Sequence, residues 1–191
     1  SLTSITIGNR VTEIRSYAFF YCISLTSITI PNRVTEIEGS AFEGCSSLTS
    51  ITIPNRVTKI GSDAFAFCSS LTSVTIPDSV TEIGEDAFYK CTSLTSVTIP
   101  DSVTEIGDWA FDGCSSLTAI RVGEGNTSYS DIDGVLYTKD KKTVVCYPCD
   151  RDQYLREKYG YPQELWSWIP KTSDNKDLIS EEDYAPIYDE Y

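Results

Sequence analysis

A solenoid of stacked rungs with parallel strands is the fold class this sequence predicts, and three observations carry it. The stretch SLTSVTIPDSVTEIGDWAFDGCS (93–115) is one of five near-copies that begin at Ser1, Ser24, Ser47, Ser70 and Ser93. A fixed period of 23 residues marks a supersecondary unit that buries its apolar face only against its neighbours. Each copy opens with β-branched residues alternating with Ser and Thr, the pattern of a strand with one buried face. The apolar content of one copy is also small. In the fifth, the inward candidates are Leu94, Val97, Ile99, Val103, Ile106, Ala110 and Phe111, too few to offset the ordering of a whole rung without its neighbours.

Taken in order, a rung starts with Leu-x-x-Ile/Val-x-Ile, as in Leu25, Ile28, Ile30 and in Leu71, Val74, Ile76. This is the first strand. Pro31, Pro54, Pro77 and Pro100 follow it, with Gly8 in the first copy, and proline ends a strand because it has no N–H to give a ladder. A second extended piece, Val-Thr-Glu-Ile, runs back along the other side of the coil. Gly61, Gly84 and Gly107 then turn the chain into a single helical turn that ends in Ala-Phe. Equivalent strands stack like on like, in parallel, at roughly 4.8 Å. A sixth copy starts at Ser116 and decays after Leu117.

The frame Leu-x-x-Ile-x-Ile-Pro-x-x-Val-x-x-Ile-Gly-x-x-Ala-Phe-x-x-Cys resembles the BspA-like (treponemal type) leucine-rich repeat, over residues 1 to about 122. Residues 126–148, NTSYSDIDGVLYTKDKKTVVCYP, resemble the hairpin unit that interrupts or closes such arrays. The resemblance implies a secreted or surface-attached protein that binds host matrix proteins or other bacteria. It names no catalytic residue, since the family is defined by its repeat. The expected architecture is a leucine-rich repeat solenoid of 23-residue repeats, with parallel stacked strands and short helical turns, capped by a β-hairpin and an aromatic C-terminal segment. Its parts are the array (1–122), the β-hairpin unit (123–149), and a segment (150–191) with a short helix, a degenerate rung at Leu165 to Pro170 and an acidic, Tyr-rich tail. Within that tail, LISEED (178–183) matches the centre of a common epitope tag but its flanks do not, and it reads as coincidence.

Composition narrows the function. No apolar run approaches a membrane span, so membrane insertion is not expected. With no methionine, Ser1 does not read as a translation start, and the chain is expected to be a piece or processed product of a longer one. A net charge of −13 argues against nucleic acid and anionic membrane, which need clustered Lys and Arg. The absence of His removes the commonest general base and metal ligand.

Two motifs imitate chemistry. Asp131-Ile-Asp133-Gly134-Val resembles the nucleophile motif of haloacid-dehalogenase-type phosphatases, but that chemistry needs a βα crossover and further acids in a cleft, whereas here the motif opens a hairpin. As a calcium loop it lacks its last ligand, because position twelve from Asp131 is Lys142. Cys146-Tyr-Pro-Cys149 has redox or half-zinc spacing without a second pair, and reads as a hairpin-end Cys with a neighbour or as a local disulfide. Cys22, Cys45, Cys68, Cys91 and Cys114 recur at the full period and are expected to form a buried column of reduced thiols. No catalytic residue, metal or cofactor is expected.

The surface ladders carry the candidate sites. On the first strands, Ser4, Ser27, Ser50, Ser73 and Ser96 lie beside Thr6, Thr29, Thr52, Thr75 and Thr98, all pointing away from the core, and the array ends at Arg121. Thr29, Thr52, Thr75, Thr98 and Arg121 are the candidate ligand-binding residues; the bland reading is a soluble exposed strand face, and a flat ice-binding face is a minor alternative. Arg10, Arg33 and Arg56 run beside Glu13, Glu36, Lys59, Glu82 and Glu105, an arrangement expected to offset like-charge repulsion, with a sulfated-glycan site as the weaker reading. The favoured function is a non-enzymatic surface or secreted module that binds protein or glycan in adhesion. The alternative is a structural subunit that self-associates head to tail into an extracellular filament, with Leu2, Ile5, Ile7, Trp166, Trp168, Tyr184 and Tyr188 as end contacts.

Overall fold

The computed structural model describes residues 3–148. The helix, degenerate rung and tail expected beyond Cys149 lie outside the described residues, as do Leu2, Trp166, Trp168, Tyr184 and Tyr188. Within them, the first strands of successive rungs are β1 (Ser4–Thr6), β3 (Ser27–Thr29), β5 (Ser50–Thr52), β7 (Ser73–Thr75), β9 (Ser96–Ile99) and β11 (Ala119–Val122). The second strands are β2 (Glu13–Ile14), β4 (Glu36–Ile37), β6 (Lys59–Ile60), β8 (Glu82–Ile83) and β10 (Glu105–Ile106). Strands pair in parallel with their equivalents 23 positions on, as Ser4 with Ser27, Glu36 with Lys59 and Val97 with Ile120.

The two sides of the coil differ from the sequence expectation in one respect. The two-residue second strands form a continuous sheet, β10-β8-β6-β4-β2, whereas the first strands ladder in pairs: β1-β3, β5-β7 and β9-β11. The hydrogen bond leading into each pairing shows why. It is 2.8 Å from Thr26 N to Thr3 O, 3.1 Å from Thr72 N to Thr49 O and 3.0 Å from Thr118 N to Thr95 O, but stretches to 3.5 Å and 3.4 Å at the joints between pairs, Thr49 to Thr26 and Thr95 to Thr72. Leu25, Leu48, Leu71 and Leu94 sit just ahead of the strands and are fully buried.

The expected helical turn is absent. The corner after each second strand is a run of turns with two left-handed residues four apart: Tyr17 and Tyr21 (φ 62° and 52°), Asp63 and Phe67 (56° and 59°), Asp86 and Lys90 (54° and 55°). A left-handed residue every fourth position is incompatible with a right-handed helix. What stabilises the corner instead is an alternation of backbone bonds. Ala41, Glu43 and Cys45 donate three residues back, to Glu38, Ser40 and Phe42, while Ser40, Phe42 and Gly44 donate to Ser62, Ala64 and Ala66 of the following rung. The same alternation holds at the corners of Asp63 to Phe67 and Asp86 to Lys90. The corner is therefore a third ladder, in which alternate N–H groups point to the next rung.

The core is filled by columns of like residues. Phe19, Phe42, Phe65, Phe88 and Phe111 stack with centroids 5.1 to 5.4 Å apart and planes within 9° of parallel. The cysteine column lies beside them. Cys45, Cys68, Cys91 and Cys114 are fully buried, and each thiol donates to a phenylalanine carbonyl of the rung before: Cys45 to Phe19, Cys68 to Phe42, Cys91 to Phe65 and Cys114 to Phe88, all at 3.2 Å. The thiol thus fills space and also satisfies a backbone acceptor. Gly61, Gly84 and Gly107, expected to be turn formers, have no left-handed φ; they permit close approach. A Cβ on Gly84 would lie 2.5 Å from Ser62 N and 2.6 Å from Gly61 C.

At the far end, β12 (Tyr129–Ile132), β13 (Val135–Thr138) and β14 (Val144–Cys146) form an antiparallel sheet, with a two-residue turn at Asp133 and Gly134 (φ 52° and 86°). Two consecutive left-handed residues in the order Asp-Gly make a type I′ turn, matched to strand twist. The hairpin meets the array through Ile120 N to Gly134 O (2.8 Å) and through Ile106 N, which donates to the Tyr129 hydroxyl at 2.8 Å where a further rung would offer a carbonyl. Burial pushes the Tyr129 phenol up. Asn126, 1% exposed, completes the join: its Nδ2 donates to Pro100 O (2.8 Å) and Val103 O (3.0 Å), and its Oδ1 accepts from Ser128 N and Tyr129 N (both 2.8 Å).

Candidate functional site

Three columns of threonine run along the coil, and hydrogen bonding separates them. Thr26, Thr72, Thr95 and Thr118, one residue ahead of each strand, turn their hydroxyls onto the carbonyl of the threonine one rung back. Thr35, Thr58, Thr81 and Thr104 do the same on the second side. Those hydroxyls are engaged in holding rungs together. The candidate residues Thr29, Thr52, Thr75 and Thr98 are exposed, and with Ser27, Ser50, Ser73 and Ser96 beside them their hydroxyls bond no group among the described residues. Strand alternation places them outward, since Ile28, Ile51, Val74 and Val97 between them are buried.

At the end of this face the sheet turns at Arg121, which stands in register with Thr98. Its Nη1 pairs with Asp131 Oδ2 at 3.1 Å, and Asp131 Oδ1 accepts from Val122 N at 2.8 Å. Arg121 is thus a held cation at the edge of the array. The same contacts account for the phosphatase-like motif: Asp131 fastens the hairpin to the last strand, and Asp133 is a turn residue.

Between the last rungs the face holds an open groove of about 450 Å³, lined by Ser73, Thr75, Ser96 and Thr98 with the buried residues between them and, on the side of the following turn, by Asp78, Asp101 and Glu124, which form its acidic rim. The rim was not anticipated from the sequence, although the signal was present. Rungs one to three carry Asn-Arg at this turn (Asn9-Arg10, Asn32-Arg33, Asn55-Arg56) and rungs four and five carry Asp-Ser (Asp78-Ser79, Asp101-Ser102). Ser79 and Ser102 turn inward and donate to Val57 O (2.7 Å) and Val80 O (2.6 Å), leaving the acids at the surface. Asp101 Oδ1 also accepts from Gly125 N at 3.1 Å.

The expected compensation of the arginine column by the glutamate column is not observed. Among the described residues the ion pairs are Arg15 with Glu13 (3.6 Å), Lys59 with Glu82 (2.6 Å) and Arg121 with Asp131. Arg10, Arg33 and Arg56 are exposed and take part in none. The break in the acidic run is what does the compensating: the bond from Lys59 to Glu82, above all, holds the Lys59 ammonium above its usual range. Of the end-contact candidates, Ile5 and Ile7 are half-buried on the first rung, where their equivalents Ile28 and Ile30 are buried. Cys146 is half-buried in β14, and its neighbour Cys149 lies outside the described residues.

This geometry is similar to that of known proteins. The model of the BspA type leucine-rich repeat region matches residues 1–131 in six copies. A leucine-rich cell surface protein from Faecalibacterium prausnitzii is 38% identical, with a TM-score of 0.60, over 77% of this chain and 46% of that one. The leucine-rich repeat protein of T. pallidum is 35% identical (TM-score 0.61), over 62% of this chain and 57% of that one. The pneumococcal vaccine antigen PcpA is 26% identical (TM-score 0.61), over 78% and 47%. The chain thus spans about half the length of these solved relatives. No curated protein matches it.

Proposed function

The chain belongs to the BspA-type leucine-rich repeat family, and from that premise we propose that it is a non-enzymatic recognition module, secreted or displayed on a cell surface, that binds a protein or glycan on its Ser/Thr face in adhesion. The observation that carries this reading is the division of labour among the threonines. Two columns spend their hydroxyls on rung-to-rung bonds, while Thr29, Thr52, Thr75 and Thr98 present theirs outward beside the serines, and Thr75 and Thr98 line a groove together with Asp78, Asp101 and Glu124. A regular field of hydroxyls, each both donor and acceptor, suits polar ligands bound by many weak contacts. The surface-protein relatives support the location.

The test is binding to a glycan array and to a panel of purified extracellular matrix glycoproteins. Thr52→Lys with Thr75→Lys is expected to abolish any interaction found, while stability stays within about 0.5 kcal/mol, since both side chains are exposed. Binding that survives the double substitution would move the site off this face.

A further inference from the structure

We propose that two copies of this chain associate side by side and antiparallel along the turn that follows the first strands, with the dyad between the third and fourth rungs. The turn is electrically divided. Its first half presents Arg10, Arg33 and Arg56, exposed and outside every ion pair among the described residues; its second half presents Asp78, Asp101 and Glu124 at the rim of the groove. Each set repeats every 23 residues, so each is a column with the spacing of stacked strands, roughly 4.8 Å. A half-turn about an axis between Arg56 and Asp78 brings rung one opposite rung six, two opposite five, and three opposite four. Arg10 then faces Glu124, Arg33 faces Asp101 and Arg56 faces Asp78, and the symmetry repeats all three pairs on the other side.

Spacing selects this occupant over a basic peptide. Side chains on one face of an extended peptide recur about every 6.6 Å, out of step with acids about 4.8 Å apart, whereas the arginine column of a second copy matches them rung for rung. A parallel copy in register would set like against like. The groove behind the rim gives the guanidinium heads a recess between Ser73, Thr75, Ser96 and Thr98. Association also relieves the repulsion within each unpaired column, which works against the net charge of −13 on each partner. The proposal does not depend on the ligand reading above.

Sedimentation equilibrium of the full chain tests it. A dimer is expected at low ionic strength, with its dissociation constant rising on the order of tenfold from about 0.05 M to about 0.3 M salt, as screening shortens the reach of exposed charges. The triple variants Arg10→Glu/Arg33→Glu/Arg56→Glu and Asp78→Arg/Asp101→Arg/Glu124→Arg should each be monomeric with an unchanged circular dichroism spectrum, and should associate one to one when mixed. A wild-type chain that stays monomeric at about 1 mM, reversed chains that ignore each other, or larger end-to-end species that survive either reversal would overturn the proposal.

Discussion

Gly84→Ala sets two ordinary expectations against each other. Gly84 has no left-handed φ, and at such a position replacing glycine by alanine normally stabilises a protein by about 0.4 to 1 kcal/mol through the unfolded chain. Here the new methyl would lie 2.5 Å from Ser62 N and 2.6 Å from Gly61 C, and both are backbone atoms that cannot rotate aside. Relief requires a local shift of the two backbones, one that keeps the ladder bond from Gly84 N to Ile60 O (2.8 Å), as Glu38 N keeps its bond to Ile14 O at 2.9 Å with a Cβ at the equivalent place. Overpacking of this kind costs about 1 to 3 kcal/mol. That destabilisation is opposite in sign to the unfolded-state effect. Glu38 shows how the chain tolerates a side chain at the equivalent place in the second rung. Its carboxylate takes hydrogen bonds from Ser16 N (2.9 Å) and Ser16 Oγ (3.0 Å), which also hold it below the usual carboxylate range, and alanine has no such group to offer. The assay is urea unfolding followed by far-ultraviolet circular dichroism, with Gly8→Ala as control, because nothing lies within 4 Å of a Cβ there. The reasoning fails if Gly84→Ala matches or exceeds the wild type while Gly8→Ala behaves as expected.

Two further outcomes follow from the buried polar groups. Burial pushes the Cys45 thiol up to about 12, with the neighbouring Cys22 adding to it, and the thiols of Cys68 and Cys91 are raised as well. Native protein at pH 8 should therefore leave these sites unmodified by iodoacetamide, as peptide mapping would read. Since the folded state holds its thiols protonated above the pH at which the unfolded chain ionises, their contribution is complete below about pH 8.5 and is lost progressively as pH rises towards 12. Urea midpoints at pH 7, 9 and 10 check that decline, and a flat profile would contradict it. Asn126→Asp keeps the acceptor for Ser128 N and Tyr129 N but cannot donate to Pro100 O and Val103 O, so it should cost about 2 to 4 kcal/mol. Hydrogen exchange should place the loss at the hairpin and last rung, and uniform loosening along the array would refute the assignment.

The period and the inward columns were legible in the sequence because each depends on residue type at a fixed spacing, and spacing is what a chain states openly; the hairpin unit was legible by resemblance, with its turn placed in the later polar stretch, whereas the structure also turns the chain at Asp133 and Gly134. The outward direction of Thr29, Thr52, Thr75 and Thr98 follows from the same strand alternation. Three things came only from the fold. The corner is a third ladder rather than a helical turn because residues such as Tyr17, Asp63 and Phe67 are held left-handed by bonds to the neighbouring rung, against their own preference, and local sequence carries no mark of that. The glycines serve close approach between backbones 23 residues apart, a distance that exists only once the rungs stack. And identical threonines become structural or free according to which lie within reach of a carbonyl one rung back, as Thr72 does and Thr75 does not. Composition sets what each rung contains; the contact between rungs decides which of its polar groups are satisfied internally and which remain exposed.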